Sequence, residues 1–271
     1  MKTIIGAIAG DIIGSRFEFH NIKTKDFELL SDECFFTDDT VMTCAVAKAL
    51  MESDKPWGDS LSTNAVKYMR GIGCEYPHSG YGRKFFEWLL EERPSSYQSC
   101  GNGAAMRISP AAYMTDSLSK LKDMCETITI VSHNHSEAVK GAEATAFCVW
   151  AANNRWTKDM IIDFVKENYY PGLEYFTLDN LRPTYRFYET CQNTVPEAIK
   201  AFEEATDYED AIRNAISIGG DSDTIAAITG GIAGAYYGVP THIRDWAMDK
   251  LDFHLRMLVE DFDNYIYFGR R

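Results

Sequence analysis

The chain has 271 residues, of which 45% are hydrophobic and 25% are charged, a composition typical of a globular protein that can bury a sizeable core. Its 27 basic and 40 acidic residues give a formal net charge of -13. This acidity argues against a protein that binds nucleic acid through a broad surface of phosphate contacts. The seven cysteines are odd in number and scattered, so they predict free thiols in a reducing compartment rather than disulfides or a zinc ribbon.

The first segment, MKTIIGAIAGDIIG, superficially resembles a signal peptide. Asp11 interrupts its apolar run, and no small-residue cleavage site follows. No stretch of eighteen uninterrupted apolar residues occurs in the chain, so the sequence predicts a soluble, cytoplasmic protein.

Glycines recur at every fourth position in two segments with helical spacing, and each triplet leaves a groove without side chains. Glycine inside a helix costs about 1 kcal/mol relative to alanine, so these positions need a reason. We interpret both segments as central helices that pack closely and hold a site rigid, with close packing alone as the alternative. The triplets are Gly6, Gly10 and Gly14, and Gly230, Gly234 and Gly238.

Two acids lie in or just after the first helix. Asp11 stands among apolar residues, so we expect it to be buried with hydrogen-bond partners, as a cap or an inter-helix bond. Glu18 follows at the end of the same helix, where the helix dipole does not stabilise a carboxylate. Glu18 is therefore the better candidate for a reactive group.

The next feature is the run Thr37-Asp38-Asp39-Thr40, which precedes the apolar helix VMTCAVAKAL. Further along, a glycine-rich turn at residues 99–107 (SCGNGAAMR) enters a helix and offers free backbone N–H groups to a phosphate. Residues 127–131 (TITIV) are the one credible strand in a chain whose other long segments show helical spacing. His133 and His135 are spaced i, i+2, so we do not expect them to bind one metal together.

The run Asp221-Ser222-Asp223-Thr224 precedes a second apolar helix and repeats the Asp-Thr-β-branched step of the first acidic run. One interpretation is that both runs are helix caps. A single residue suffices for a cap, however, and adjacent carboxylates repel one another unless a cation or proton intervenes. If the fold brings the runs together, four carboxylates could hold two Mg²⁺ or Mn²⁺ ions. The spacing alone leaves both interpretations open.

These segments together resemble the ADP-ribosylglycohydrolase family, and they occur in the order typical of that family across nearly the whole chain. The resemblance implies a compact all-α orthogonal helical bundle, with residues 1–271 forming one domain. The matching motifs are GAIAGDIIGSRFEF near residues 5–19, FTDDTVMT at 36–43, GNGAAMRISP at 101–110, VSHNHSEAVKGA at 131–142 and GGDSDTIAAITGGIAGAYYG at 219–238.

The resemblance also implies a site with a pair of Mg²⁺ ions (Mn²⁺ in some members) at the bottom of an ADP-ribose cleft. Glu18 or Asp38 would act on the attacking water, the segment Gly101-Asn102-Gly103 and His133 would bind substrate, and the segment Gly80-Tyr81-Gly82 matches a loop found in bacterial members. No clear match exists for the residue that stacks on adenine, for which Phe17, Tyr97 and Tyr113 are guesses. The implied metal ligands are Thr37, Asp38, Asp39, Asp221, Asp223 and Thr224.

The expected reaction is hydrolysis of the bond between ADP-ribose and a modified protein side chain, nucleobase or small molecule. We expect a monomer without a membrane or an extended nucleic-acid partner. Two alternatives remain: a non-catalytic ADP-ribose-binding member of the fold, and a Mg²⁺-dependent phosphohydrolase that attacks the diphosphate.

Overall fold

The structure is a computed structural model that describes residues 3–55 and 57–269. Within these ranges every regular element is a helix, and only two isolated β-bridges occur, so the all-α prediction is confirmed. Short 3₁₀ helices lie at Ser15–Phe17, Ser109–Tyr113, Pro171–Tyr175 and Cys191–Asn193. The α-helices are α1 (Ile5–Gly14), α2 (Asp38–Met51), α3 (Asp59–Glu75), α4 (Arg83–Leu90), α5 (Gly103–Met106), α6 (Leu118–Thr129), α7 (Ser136–Asn153), α8 (Lys158–Asn168), α9 (Leu178–Leu181), α10 (Val195–Glu203), α11 (Tyr208–Ser217), α12 (Ser222–Tyr237), α13 (Thr241–Lys250) and α14 (Phe253–Phe268).

Helices α1 and α12 pack against each other backbone to backbone. A Cβ atom added to Gly6 would lie 2.4 Å from the carbonyl oxygen of Gly230, and one added to Gly14 would lie 2.6 Å from the Cα of Asp223. The two helices are thus antiparallel, and the end of α1 meets the start of α12. Gly238 does not belong to this contact, contrary to the regular spacing: it follows α12 with φ at 81° and ends that helix.

The α1–α12 pair lies at the centre of the molecule. All ten residues of α1 are buried, and α12 is buried from Ser222 to Ala235. Helices α7, α10 and α11 pack around α12, while α2 and α13 pack against α1. Helices α3 and α14 cover α2, and α6 covers α7. The arrangement fixes both ends of the central pair within a rigid core.

The predicted strand at residues 127–131 is wrong. Helix α6 continues to Thr129, and the Thr127 hydroxyl donates to the carbonyl oxygen of Asp123 one turn earlier, over 2.7 Å. Leu121, Cys125 and Ile128 are buried on one stripe of this helix. Burial of that stripe outweighs the local preference of β-branched residues for strands.

The prediction that the cysteines are free thiols is confirmed. All seven cysteines are free thiols, and five of them are buried. Across the described ranges we find no helix with the length and apolar character that a membrane crossing requires.

Candidate functional site

A cavity of about 480 Å³ lies where α2 and α12 begin. It brings together two acidic runs that are far apart in sequence, because the end of α1 meets the start of α12 and α2 packs against α1. The glycine-rich loop and His133 line the same cavity, as the resemblance implies. The lining includes Glu18, Asp38, Asp39, Asp221, Asp223, Thr224, Tyr97, Gly101, Asn102, Gly103 and His133.

The acidic runs are in direct contact. The Thr224 hydroxyl donates to Oδ2 of Asp39 over 3.2 Å. One carboxylate oxygen from each of Glu18, Asp221 and Asp223 lies within 4.8 Å of the other two, and the same holds for Asp11, Asp39 and Asp223. The two groups share Asp223, so they form a single acidic cluster.

Asp11 is a member of this cluster that does not line the cavity. It is fully buried in α1, and its carboxylate accepts hydrogen bonds from the backbone N–H groups of Thr37 over 3.0 Å and Thr40 over 3.1 Å. Both threonine hydroxyls also donate to it. The prediction of an inter-helix hydrogen bond is confirmed, because Asp11 holds the first turn of α2 against α1.

Burial and mutual repulsion shift the titration of the cluster. The pKa of Glu18 is raised to about 8, mainly by burial and then by the charges of Asp223, Asp11 and Glu189. Burial also raises the pKa of Asp221 to about 7, against the opposing effect of hydrogen bonds that include one from Asn102. For Asp39 and Asp223, burial and neighbouring acids raise the pKa well above its usual value.

The donor set of the cluster fits a hard divalent cation. Its atoms are carboxylate and hydroxyl oxygens, which Mg²⁺ and Mn²⁺ prefer, and Oδ1 of Asp39 is buried without a hydrogen-bond partner. A buried, unpaired carboxylate oxygen is costly unless a cation or proton satisfies it. Thr37 differs from the other implied ligands: it does not line the cavity, and its hydroxyl donates to Asp11 over 2.7 Å.

The glycine-rich loop is tied to two other segments. The Asn102 side chain donates to Oδ2 of Asp221 over 2.6 Å and to the Thr194 hydroxyl over 3.2 Å. Its backbone N–H donates to the carbonyl oxygen of Glu189 over 2.9 Å. The loop, the segment before Cys191 and the acidic cluster therefore keep fixed positions relative to one another.

His133 lies against this loop and is 5% exposed. Its Nδ1 lies 2.9 Å from the Ser132 hydroxyl and 3.5 Å from Nη2 of Arg107. His135 has a different place, because its Nδ1 accepts from the N–H of Glu137 over 3.1 Å and caps α7. The two histidines therefore have different hydrogen-bond partners.

The structure separates the three guesses for the adenine-stacking residue. Tyr97 lines the cavity, but Phe17 and Tyr113 do not. Phe17 is buried against Phe27 with a ring centroid distance of 5.0 Å, and the Tyr113 hydroxyl donates to the carbonyl oxygen of Thr3 in the core. The guesses for Phe17 and Tyr113 are wrong, because both rings are packed in the hydrophobic core.

Several lining residues had no role in the sequence analysis. Phe85 and Arg107 line the cavity beside His133, and Glu189 and Thr190 close another part of it. Gly80 lies close to Asp38, since a Cβ added there would be 3.4 Å from Oδ1 of that residue. Arg107 ends the glycine-rich motif, so its position was readable, but nothing in the sequence marks Glu189.

A sequence model of the ADP-ribosylglycohydrolase family matches residues 1–267. The chain belongs to the ADP-ribosylglycohydrolase family. It is an enzyme that hydrolyses a glycosidic bond of ADP-ribose, as the names of its relatives indicate.

Individual relatives of this ADP-ribosylglycohydrolase have low sequence identity to it, but the matches extend over most of its length. It is 26% identical to the ADP-ribosylhydrolase ARH3 of Xenopus tropicalis, over 91% of this chain and 89% of that protein. It is 24% identical to the ADP-ribosylarginine hydrolase Tri1 of Pseudomonas putida, over 95% of this chain and 76% of that protein. Its fold is similar to that of a solved ADP-ribosylglycohydrolase-related protein complex, with a TM-score of 0.72 and 22% identity. The match covers 98% of this chain and 95% of the solved chain.

Proposed function

We propose that this ADP-ribosylglycohydrolase is metal-dependent and cleaves the bond between ADP-ribose and a modified acceptor, releasing ADP-ribose. The observation that carries the proposal is the acidic cluster itself. Six acids, Glu18 among them, line a cavity whose remaining walls include amide side chains, glycines and a histidine. Such a site offers oxygen ligands for cations next to hydrogen-bond donors for a diphosphate.

We assign two Mg²⁺ ions, or Mn²⁺ as the alternative, to the acidic cluster. When bound, the cations would offset the repulsion among the carboxylates and bind the hydroxyl groups of the distal ribose. Thr37 is the ligand with the least direct support, since its hydroxyl is engaged with Asp11. The assigned ligands are Thr37, Asp38, Asp39, Asp221, Asp223 and Thr224.

Glu18 is the proposed base. It lines the cavity, and one of its carboxylate oxygens lies within 4.8 Å of an oxygen of each of Asp221 and Asp223, so it is placed to accept a proton from a water beside the proposed cations. The oxygen of the water forms the new bond to C1″ while the bond from C1″ to the acceptor breaks. A water proton passes to Glu18, which releases it to solvent after the reaction, and the acceptor atom takes up a proton from solvent as it leaves. Asp38, which lines the same cavity, is the alternative base.

The other walls of the cavity hold the rest of the ligand. We assign the diphosphate and its ribose to the segment Gly101-Asn102-Gly103 and to His133. Tyr97 is half-buried, lines the cavity, and packs at 5.4 Å from the His133 ring, so we assign it to the adenine. These assignments place the adenosine end and the scissile bond at different parts of one cavity.

We assign the acceptor to a pair of stacked aromatic rings from the segments that carry two of the cavity acids. Phe19 and Phe187 stack at 6.1 Å and are 77% and 39% exposed, and they neighbour the cavity acids Glu18 and Glu189 in sequence. Stacked aromatic rings favour a flat cation, which is the shape of a guanidinium group. The Pseudomonas putida relative is named an ADP-ribosylarginine hydrolase. We therefore propose arginine as the acceptor.

A substrate panel tests these assignments. The protein is incubated with arginine-, serine-, O-acetyl- and nucleobase-linked ADP-ribose, in Mg²⁺ and in EDTA, and the products are separated. We expect ADP-ribose from the arginine conjugate, in Mg²⁺ only. AMP with ribose phosphate would instead indicate a phosphohydrolase, and tight ADP-ribose binding without turnover would indicate a binding protein. The Phe187→Ala variant should weaken turnover of the arginine conjugate more than that of the O-acetyl conjugate.

A further inference from the structure

Arg107 is a buried cation outside the acidic cluster. It is 1% exposed, and within the described ranges no carboxylate lies at salt-bridge distance from its guanidinium. The guanidinium lies 5.1 Å from the centre of the Phe85 ring, and its Nη2 donates to the Ser132 hydroxyl over 2.8 Å. Such an expensive burial indicates a role beyond packing.

The hydrogen bond from Arg107 to Ser132 determines which group donates in the bond between Ser132 and His133. A guanidinium carries only donors, so the Ser132 oxygen must accept from Arg107. The one hydrogen of that hydroxyl is then free to donate, and Nδ1 of His133 lies 2.9 Å away. A ring nitrogen that accepts a hydrogen bond carries no proton. In a neutral imidazole the proton is then on Nε2.

The Nε2 atom of His133 faces the glycine-rich loop. A Cβ added to Gly101 would lie 3.3 Å from Nε2, and one added to Gly103 would lie 3.6 Å from it. None of the hydrogen bonds between described residues involves this nitrogen, and His133 lines the cavity. The Nε2–H group is thus a donor that no residue in the described ranges accepts from, at the place where the loop meets the cavity.

We infer that Arg107 and Ser132 are positioning residues that hold His133 as the neutral tautomer protonated on Nε2, so that it donates a hydrogen bond to an oxygen of the bound ADP-ribosyl ligand. The identity of the ligand rests on the proposed function. The tautomer itself does not, because it follows from contacts within the chain.

The charges around His133 support the neutral form. Protonation of Nδ1 would put a second positive charge 3.5 Å from Nη2 of Arg107. Burial, together with Arg107, holds the pKa of His133 well below its usual value. The other titratable group against the ring is Tyr97, whose pKa burial raises to about 12, so it is uncharged. Arg107 itself keeps its charge, because burial lowers its pKa only to about 10.

The first test is a long-range ¹H–¹⁵N correlation spectrum of metal-free protein without ligand, recorded between pH 5 and pH 8. The His133 ring is assigned by the signal lost in the His133→Asn variant. We expect one neutral tautomer with the proton on Nε2 throughout this range. A proton on Nδ1, a mixture of tautomers, or an imidazolium at pH 7 would overturn the inference.

We call the hydrogen-bonded series of Arg107, Ser132 and His133 the relay. Two variants test its parts. Ser132→Ala should leave His133 as a mixture of tautomers and weaken ADP-ribose binding about 5- to 10-fold by calorimetry at pH 7, the effect of one hydrogen bond. Arg107→Met should raise the pKa of His133 toward its usual value and make ADP-ribose affinity depend on pH between 5 and 7, and Arg107→Lys should restore the low pKa. An unchanged His133 spectrum in both Ser132→Ala and Arg107→Met would contradict the relay.

Ser96→Ala is the matched control. Ser96 is exposed beside the same loop, and its hydroxyl accepts from Asn134 over 3.0 Å, so its loss should change neither spectrum nor affinity. The design also separates the two proposals. If wild-type protein shows the Nε2–H tautomer but binds no ADP-ribose, the proposed function fails and the relay stands.

Discussion

Asn102 donates from Nδ2 to Oδ2 of Asp221 over 2.6 Å and joins the glycine-rich loop to the acidic cluster. The bond favours the ionised form of Asp221, although burial still raises the pKa of this acid to about 7. A loop proposed to bind the ligand therefore also controls the charge of a proposed metal ligand. Binding of the two should be linked.

We expect Asn102→Ala to weaken Mg²⁺ binding at pH 7, because loss of its hydrogen bond raises the pKa of Asp221 and leaves that acid more protonated. The difference from wild type should shrink at pH 9, where Asp221 is ionised in both proteins. Calorimetry at the two values of pH measures this. Asn168→Ala on the surface of α8 is the control, and an equal loss at pH 7 and pH 9 would contradict the charge argument.

Glu18→Gln should separate chemistry from binding. The amide has the size of the acid but cannot accept a proton at neutral pH, so kcat should fall by about 10² or more. ADP-ribose affinity should change much less, because other residues hold the ligand. Glu189→Gln is the matched control: it removes a neighbouring negative charge and should lower the pKa of Glu18 without abolishing turnover. Unchanged kcat in Glu18→Gln would transfer the role to Asp38.

The metal-free protein should lose stability as pH rises from about 4.5 to about 8. Three acids have a higher pKa in the folded state than in the unfolded state, namely Glu18, Asp221 and Asp223. The folded state therefore binds more protons than the unfolded state in this range of pH. Stability is then highest below the unfolded pKa and falls as pH rises through the folded pKa. Melting temperatures in EDTA measure this trend, and Mg²⁺ should reverse it at pH 8.

The Asp223→Asn variant tests the same repulsion at one residue. Its metal-free form should melt at a higher temperature than wild type at pH 8, while its affinity for Mg²⁺ falls. Asp163→Asn, which removes a carboxylate that is 72% exposed on α8, should do neither. A large fall in the melting temperature of metal-free Asp223→Asn would favour the capping interpretation of this run.

Gly10→Ala should destabilise the protein by about 3 kcal/mol or more, because the added Cβ would lie 2.0 Å from the carbonyl oxygen of Ala226 and neither backbone can move freely. Gly71→Ala is the control. Gly71 lies in α3, is exposed, and has nothing within 4 Å of an added Cβ, so this change should stabilise by about 0.5–1 kcal/mol. Chemical denaturation of both variants gives the comparison, and equal effects would rule out the close-packing argument.

The sequence predicted the parts of this site that depend on local chemistry. The two acidic runs were readable because adjacent carboxylates before an apolar helix exceed what a cap requires, and Asp11 because an acid in an apolar helix needs partners. Glu189 gave no such signal, since it reaches the cavity only through the path of the chain between α9 and α10. The guess for Tyr113 failed for a different reason, because a ring in the core and a ring in a cavity look alike in sequence.

The contact between α1 and α12 has a consequence for how the chain folds. Gly6 emerges during synthesis more than two hundred residues before its partner Gly230. At about 5–20 residues per second, the apolar surface of α1 waits for its partner on the order of tens of seconds. Contacts between distant parts of a chain also form slowly. The apolar surface of α1 therefore stays uncovered until late in synthesis, and the cavity forms only after the start of α12 has been made.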